Sequence, residues 1–166
     1  MMHDYQPEVE ACSEALATRK LTIAFAESAS AGKLAYAFSQ TQQSGQVLKG
    51  GLVCYDACIK EDLLKVPKLL IDTFTPESAE VTREMATGLQ QIMNAEVVVS
   101  VTGLPTPGGS ETPDKPVGTM FYCIWLAGQT HDYREVFEGS PGEVIDLTIT
   151  HIARSVTRLL EQTGNT

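Results

Sequence analysis

Residues 21–33, LTIAFAESASAGK, constrain the fold more than any other stretch of the chain. Leu21, Ile23, Ala24, Phe25 and Ala26 make an apolar run that gives way to Glu27, Ser28 and a segment of small residues. Leu34, Ala35, Ala37 and Phe38 then follow at helical spacing. That order reads as a buried strand, a tight turn and a helix. Such a turn leaves the first backbone N–H groups of the helix unpaired, so it can hold an anion or a polarised carbonyl, and Ser28 and Ser30 set two hydroxyls beside them. Ser30 acting as a plain helix cap is the simpler alternative.

The same alternation runs through most of the sequence. A first helix is expected over residues 7–19, where Val9, Cys12 and Leu16 recur at helical spacing. The helix from about Ser30 should end near residues 43–45, where Gly45 can take a left-handed conformation. Residues 49–55, KGGLVCY, read as a strand, followed by a short helical segment bearing Lys60, Leu63 and Leu64 that Val66 and Pro67 stop. Residues 67–74 read as a connector, and Thr75, Pro76 and Glu77 as the start of a helix to about Asn94 with Val81, Met85, Leu89 and Ile92 on one face. Residues 96–102, EVVVSVT, read as a central strand and residues 103–110, GLPTPGGS, as a loop. A strand over 117–126, a turn at Gly128 and a hairpin partner over 131–137 follow. Ser140 and Glu143 match a capping box for a last helix, with Ile145, Ile149, Ile152, Val156 and Leu159 on its buried face.

This pattern predicts a single α/β domain, residues 1–166 with a core of about 7–162, in which helices cover a mixed, partly parallel sheet in helix-sheet-helix layers. In such sheets ligands lie beyond the carboxyl ends of strands. Three polar or glycine-rich turns follow candidate strands, at Glu27-Ser28, at Tyr55-Asp56 and at residues 102–110, and a site should form where they meet.

A formal net charge of −9 argues against a nucleic-acid or anionic-membrane surface, both of which need a basic footprint. No segment approaches the roughly 20 apolar residues of a membrane span, and the acidic start of the chain lacks the basic and apolar regions of a signal peptide, so a cytoplasmic protein is expected. Cys12, Cys54, Cys58 and Cys123 have neither zinc spacing nor the density of a disulfide scaffold and read as reduced core or near-core residues. His3, His131 and His151 are scattered, so no protein-built metal centre is expected.

Residues 29–33 superficially resemble a phosphate-binding P-loop, but Glu27 stands where that loop needs glycine and Leu34 where it needs Ser or Thr. Ser30 and Lys33 also match S-x-x-K, a nucleophile motif whose companion motifs are missing. A serine nucleophile needs a base, and no histidine is placed to serve. Lys60, just past a strand end, is either a solvated surface lysine or, if desolvated in a cleft, such a base.

Three segments resemble the CinA C-terminal domain family, whose characterised members are nicotinamide mononucleotide amidohydrolases. Residues 26–32, AESASAG, resemble its A-E-S-C-T-G-G turn; residues 50–55, GGLVCY, with Lys60 resemble its G-G-V-V-x-Y-S-N-x-x-K segment. Residues 102–109, TGLPTPGG, with 115–119, KPVGT, are similar to its T-G-I-A-G-P-G-G and K-P-V-G-T pair. The order and spacing agree over about residues 7–162.

The resemblance implies hydrolysis of the carboxamide of nicotinamide mononucleotide to the acid and ammonia, with no cofactor and no metal. It implies Ser28 as nucleophile, Lys60 as base and later proton donor, and Tyr55 and Ser30 as orienting partners. N–H groups at the start of the Ser30 helix would hold the oxyanion. Glu27, Gly32, Thr102, Gly103, Gly108, Gly109 and Lys115 would bind substrate, although turn geometry accounts for the glycines nearly as well. The expected partners are a small pyridine nucleotide and further copies of the chain in a homo-oligomer, without nucleic acid or membrane.

The chain also departs from the family. Ala29, Ser30 and Ala31 replace its cysteine, threonine and first glycine, and Ala57 its asparagine. Where members read F-x-G-D-R-x-x-x-R, this chain has Pro141 and Ile145 at the two arginine positions. If those arginines bind phosphate, their loss costs on the order of 2–5 kcal/mol. Two readings follow: an active amidohydrolase retaining Ser28, Tyr55 and Lys60, or a diverged relative that binds a nucleotide or a protein partner without turnover.

Overall fold

Successive residues of β1 (Ile23–Glu27) point to opposite faces of the sheet, and here both faces are buried. Ile23 and Phe25 pack among Val9, Cys12 and Leu16 of α1 (Gln6–Thr18), Leu34 and Phe38 of α2 (Lys33–Ser39), and Ile149, Ile152 and Val156 of α7 (Pro141–Thr163). Ala24 and Ala26 face the other way, toward Leu64 of α4 (Ala57–Leu64), Ile71 of α5 (Lys68–Phe74) and Val81, Met85 and Leu89 of α6 (Ala79–Ile92). β3 (Val97–Gly103) repeats the division, with Val97, Val99 and Val101 on the first face and Val98 on the second. A strand with two apolar faces must be an unbroken apolar run, which is why residues 21–26 and 97–101 carry no hydrophobic alternation.

The computed structural model describes residues 4–163. Its five-stranded sheet has the order β2-β1-β3-β4-β5, where β2 is Leu48–Val53, β4 Thr119–Leu126 and β5 Gln129–Val136. β2, β1 and β3 are parallel, while β4 and β5 run antiparallel to their neighbours. This is the mixed, partly parallel α/β sheet that the sequence predicts. The three parallel strands end at one edge, so the turns after Glu27, Val53 and Gly103 converge there.

Local structure differs from expectation in several places. α2 begins at Lys33 and ends at Ser39, and a separate turn of helix, α3 (Ser44–Val47), leads into β2. The connector expected over 67–74 is the helix α5; Leu69 and Phe74 on it are exposed, so its apolar residues carry no periodic signal. α6 starts after Ser78, whose hydroxyl accepts the Val81 N–H at 3.3 Å, and not at Thr75–Glu77. Cys58 is exposed whereas the other three thiols are buried, because the inward face of α4 belongs to Lys60 and Leu64. The capping box forms as expected: the Ser140 N–H and hydroxyl donate to Glu143 Oε2 at 2.8 and 2.7 Å.

No helix among the described residues is long and apolar enough to cross a membrane. Among the same residues no group of three His, Cys, Asp or Glu side chains could hold a metal ion, and His3 lies outside them.

Candidate active site

Glu27, the last residue of β1, decides how the chain leaves the sheet. Its carboxylate is buried and accepts four hydrogen bonds: from the Ser30 hydroxyl at 2.5 Å, from the Gly32 and Leu34 N–H groups at 3.0 Å each, and from the Ala35 N–H at 2.8 Å. An anion from within the chain therefore occupies the amino terminus of α2, where unpaired N–H groups and the helix dipole favour negative charge. Ser30 is not the cap. The N–H groups expected to hold an oxyanion are already bound by Glu27, and neither Glu27 nor Gly32 lines a ligand cleft. To bring these donors back onto Glu27 the turn passes through two left-handed residues, Ala31 at φ 50° and Gly32 at φ 97°. Glycine accepts such a conformation freely; alanine there costs about 1–2 kcal/mol.

Ser28 continues the ladder by donating its N–H to the Val101 carbonyl at 3.0 Å. Its hydroxyl meets Lys60, which α4 projects beneath it. Asp56 caps α4 by accepting the Cys58 N–H at 2.9 Å, and α4 lies so close to α6 that a Cβ on Gly88 would come within 2.1 Å of the Leu64 carbonyl oxygen. Lys60 is only 1% exposed, and its Nζ lies 3.1 Å from Ser28 Oγ, 2.8 Å from the Cys54 carbonyl and 3.3 Å from the Tyr55 carbonyl. A neutral amine has two N–H bonds and one lone pair. As an ammonium Lys60 donates to all three oxygens, Ser28 Oγ included; once neutral, with its two hydrogens on the carbonyls, it would turn its lone pair toward the Ser28 hydroxyl. Burial pushes the Lys60 ammonium below the ordinary lysine value, while the Glu77 carboxylate and, more weakly, Cys54 and Asp56 pull it back up. The surface-lysine alternative is therefore excluded by position.

Ser28 opens onto a cleft of about 190 Å³ lined by Ala29, Tyr55, Glu77 and the loop from Gly103 to Gly109. Tyr55 contributes its backbone carbonyl to Lys60, while the residue is 69% exposed and its phenol has no hydrogen-bond partner among the described residues. Gly103 and Gly108 line the cleft for reasons of packing and turn geometry. A Cβ on Gly103 would lie 2.3 Å from Met120 Sδ, and Gly108 takes φ 96°. Thr102 is buried beneath the loop, 2.8 Å from the Thr82 hydroxyl, and does not line the cleft. Lys115 does not reach it either: its Nζ donates to Thr75 Oγ1 at 2.7 Å, Ser110 Oγ at 2.8 Å and the Glu77 carbonyl at 2.9 Å, bracing the loop against the segment before α6. Among the described residues the N–H groups of Ala29 and Ser30, next to Ser28, have no protein acceptor.

Glu77 is the cleft residue that the sequence concealed. In the sequence its carboxylate reads as a helix-start charge, and its approach to Ser28 depends on the path of residues 75–78. The other proposed nucleophile pair does not assemble: Ser30 is bound to Glu27, and Lys33 is ion-paired to Asp146. Pro141 begins α7 and Ile145 packs on the core, so neither position lines the cleft.

The sequence profile of the CinA C-terminal domain matches residues 6–160. The chain is 30% identical over 151 residues to the protein MG115 homolog of Mycoplasma pneumoniae, covering 90% of this chain and 95% of that one. It is 35% identical over 123 residues to a CinA-like protein of Leptospira borgpetersenii, covering 74% of this chain and 28% of that protein. With a CinA-like protein of Prochlorococcus marinus it shares 40% identity over 113 residues, 68% of this chain and 26% of the relative. It thus spans about a quarter of the length of these two longer proteins. Among solved structures, it superposes on the competence damage-inducible protein A (ComA) of Klebsiella pneumoniae with a TM-score of 0.91 at 23% identity, over 96% and 98% of the two chains. The competence-damaged protein (CinA) superfamily protein of Escherichia coli gives a TM-score of 0.87 at 26% identity, over 95% and 90%.

Proposed function

The chain belongs to the CinA C-terminal domain family, and from that premise we propose that it is an amidohydrolase that deamidates nicotinamide mononucleotide. The observation that carries this reading is the 3.1 Å contact between Ser28 Oγ and a buried Lys60 Nζ at the floor of a cleft. Neutral Lys60 accepts the Ser28 proton as Oγ attacks the carboxamide carbon. The developing oxyanion is held by the Ala29 and Ser30 N–H groups. Collapse of the tetrahedral intermediate expels the amide nitrogen, which takes the proton from the Lys60 ammonium and leaves as ammonia. Water then attacks the acyl-serine, giving one proton to Lys60; the Ser28 oxygen departs and recovers that proton, releasing the carboxylic acid.

A second reading, a family member that binds a ligand without turning it over, is favoured by the altered turn beside Ser28, where Ala29, which lines the cleft, stands in place of the family cysteine. Ammonia release from nicotinamide mononucleotide by the wild type and by Ser28→Ala separates the two. The amidase reading expects release from the wild type and a loss of at least about 10³-fold in the variant. Equal rates remove it.

A further inference from the structure

We propose that Glu77 makes this cleft select carboxamides whose amide-bearing ring carries a positive charge. The inference rests on the amidase reading of the same cleft and concerns which amides it prefers. Glu77 lines the cleft together with Ser28. Its Oε2 accepts the Ser110 hydroxyl at 2.5 Å, whereas its Oε1 takes no hydrogen bond among the described residues. The charged groups around it are few. Lys115 is the nearest cation, but its Nζ is committed to Thr75 Oγ1, Ser110 Oγ and the Glu77 carbonyl and meets the Glu77 carboxylate only through the Ser110 hydroxyl, while Asp56 caps α4. Lys60 lies behind Ser28 and must be neutral to act as a base. In the reactive state Glu77 is therefore the one charge on the cleft lining among the described residues, and no cation bonds its carboxylate directly.

A ring such as an N-alkylated pyridinium supplies that cation. Its charge is permanent, so it needs no proton from the site, and it places positive potential close to the carbonyl that Ser28 attacks. A cation bound there also disfavours the Lys60 ammonium, so the substrate promotes the base form that consumes it. A neutral ring of the same shape leaves the carboxylate desolvated and unpaired.

The test uses two amides of equal shape, the 1-methyl-3-carbamoylpyridinium cation and neutral 3-methylbenzamide, with the wild type and Glu77→Gln. Glutamine keeps an acceptor for Ser110 and removes only the charge, so a purely bracing role leaves the relative preference unmoved. The expected result is a ratio of kcat/KM, cation over neutral, that falls about tenfold in Glu77→Gln. A ratio that stays within about twofold overturns the proposal. Loss of ammonia release in Ser28→Ala checks the underlying chemistry independently. If the wild type hydrolyses neither amide, ammonia release from nicotinamide mononucleotide still decides the amidase reading by itself, and calorimetric binding of the two amides decides the charge preference. Tighter binding of the cation that disappears in Glu77→Gln supports it, and equal binding of the two amides overturns it.

Discussion

Ser28 and Ser30 lie two residues apart on one turn and are both nearly buried, yet their neighbours give them opposite uses. Ser30 donates to a carboxylate that also holds three backbone N–H groups, so its proton is fixed and its oxygen is part of the scaffold. Ser28 faces an amine whose other partners are carbonyls, so its proton has somewhere to go. A hydroxyl becomes a nucleophile through the base that faces it and the open space beside it; motif membership alone does not distinguish the two. The Glu27 side of the turn supplies rigidity, and the Lys60 side is where the proposed amidase places its chemistry.

The largest effect that tests this division falls on the Lys60 side. Lys60→Met should lower kcat for amide hydrolysis about 10³-fold, within the usual range for removing a general base. The unfolding midpoint should move by no more than about 5 °C, because the lost amine was itself desolvated. A large drop in stability with little loss of rate would reverse the two roles.

On the other side, Glu27→Gln puts an amide donor against N–H groups that need an acceptor. Chemical denaturation should register a loss of about 3 kcal/mol, with the remaining folded protein still binding amide. A loss of turnover without loss of stability would mean that Glu27 takes part in the reaction.

The pH dependence gives a smaller and signed test. The proposed mechanism requires neutral Lys60, so kcat/KM should rise with pH along a limb lying below the ordinary lysine value, since burial lowers that group. Glu77 opposes this by favouring the ammonium, so Glu77→Gln should move the limb toward lower pH, by less than about one unit. A shift to higher pH contradicts the arrangement.

The smallest effect concerns the turn itself. Ala31 holds φ 50°, so Ala31→Gly should stabilise the fold by about 1 kcal/mol in a denaturant titration while leaving kcat/KM unchanged. Destabilisation would mean that the alanine methyl packs more favourably than its backbone is strained.

Much of this architecture was legible in the sequence. The buried strands at 23–27 and 97–103, the capping box at Ser140 and the lysine five residues past Tyr55 all arise from local composition and spacing. The misreadings share one cause. α5 carries no helical period in the sequence because Leu69 and Phe74 point to solvent, and α6 starts later than its sequence suggests because Thr75 and Glu77, which carry helix-start chemistry, instead brace the loop that Lys115 holds. Thr102 and Lys115 belong to the same case: their motif suggests substrate contact, but their side chains bond to other parts of the protein.

By itself the sequence determined the α/β alternation, the two-faced burial of the central strands and the family, because each depends on residues adjacent in the chain or on period-two and helical spacing. Only the tertiary structure decided which hydroxyl meets an amine. Ser28 and Lys60 are 32 residues apart, and their contact exists because two parallel strands end at one edge and α4 packs against α6. The same assembly closes Glu27 onto the start of α2 and brings Glu77 into the cleft, since burial and electrostatic pairing act through space and not along the chain.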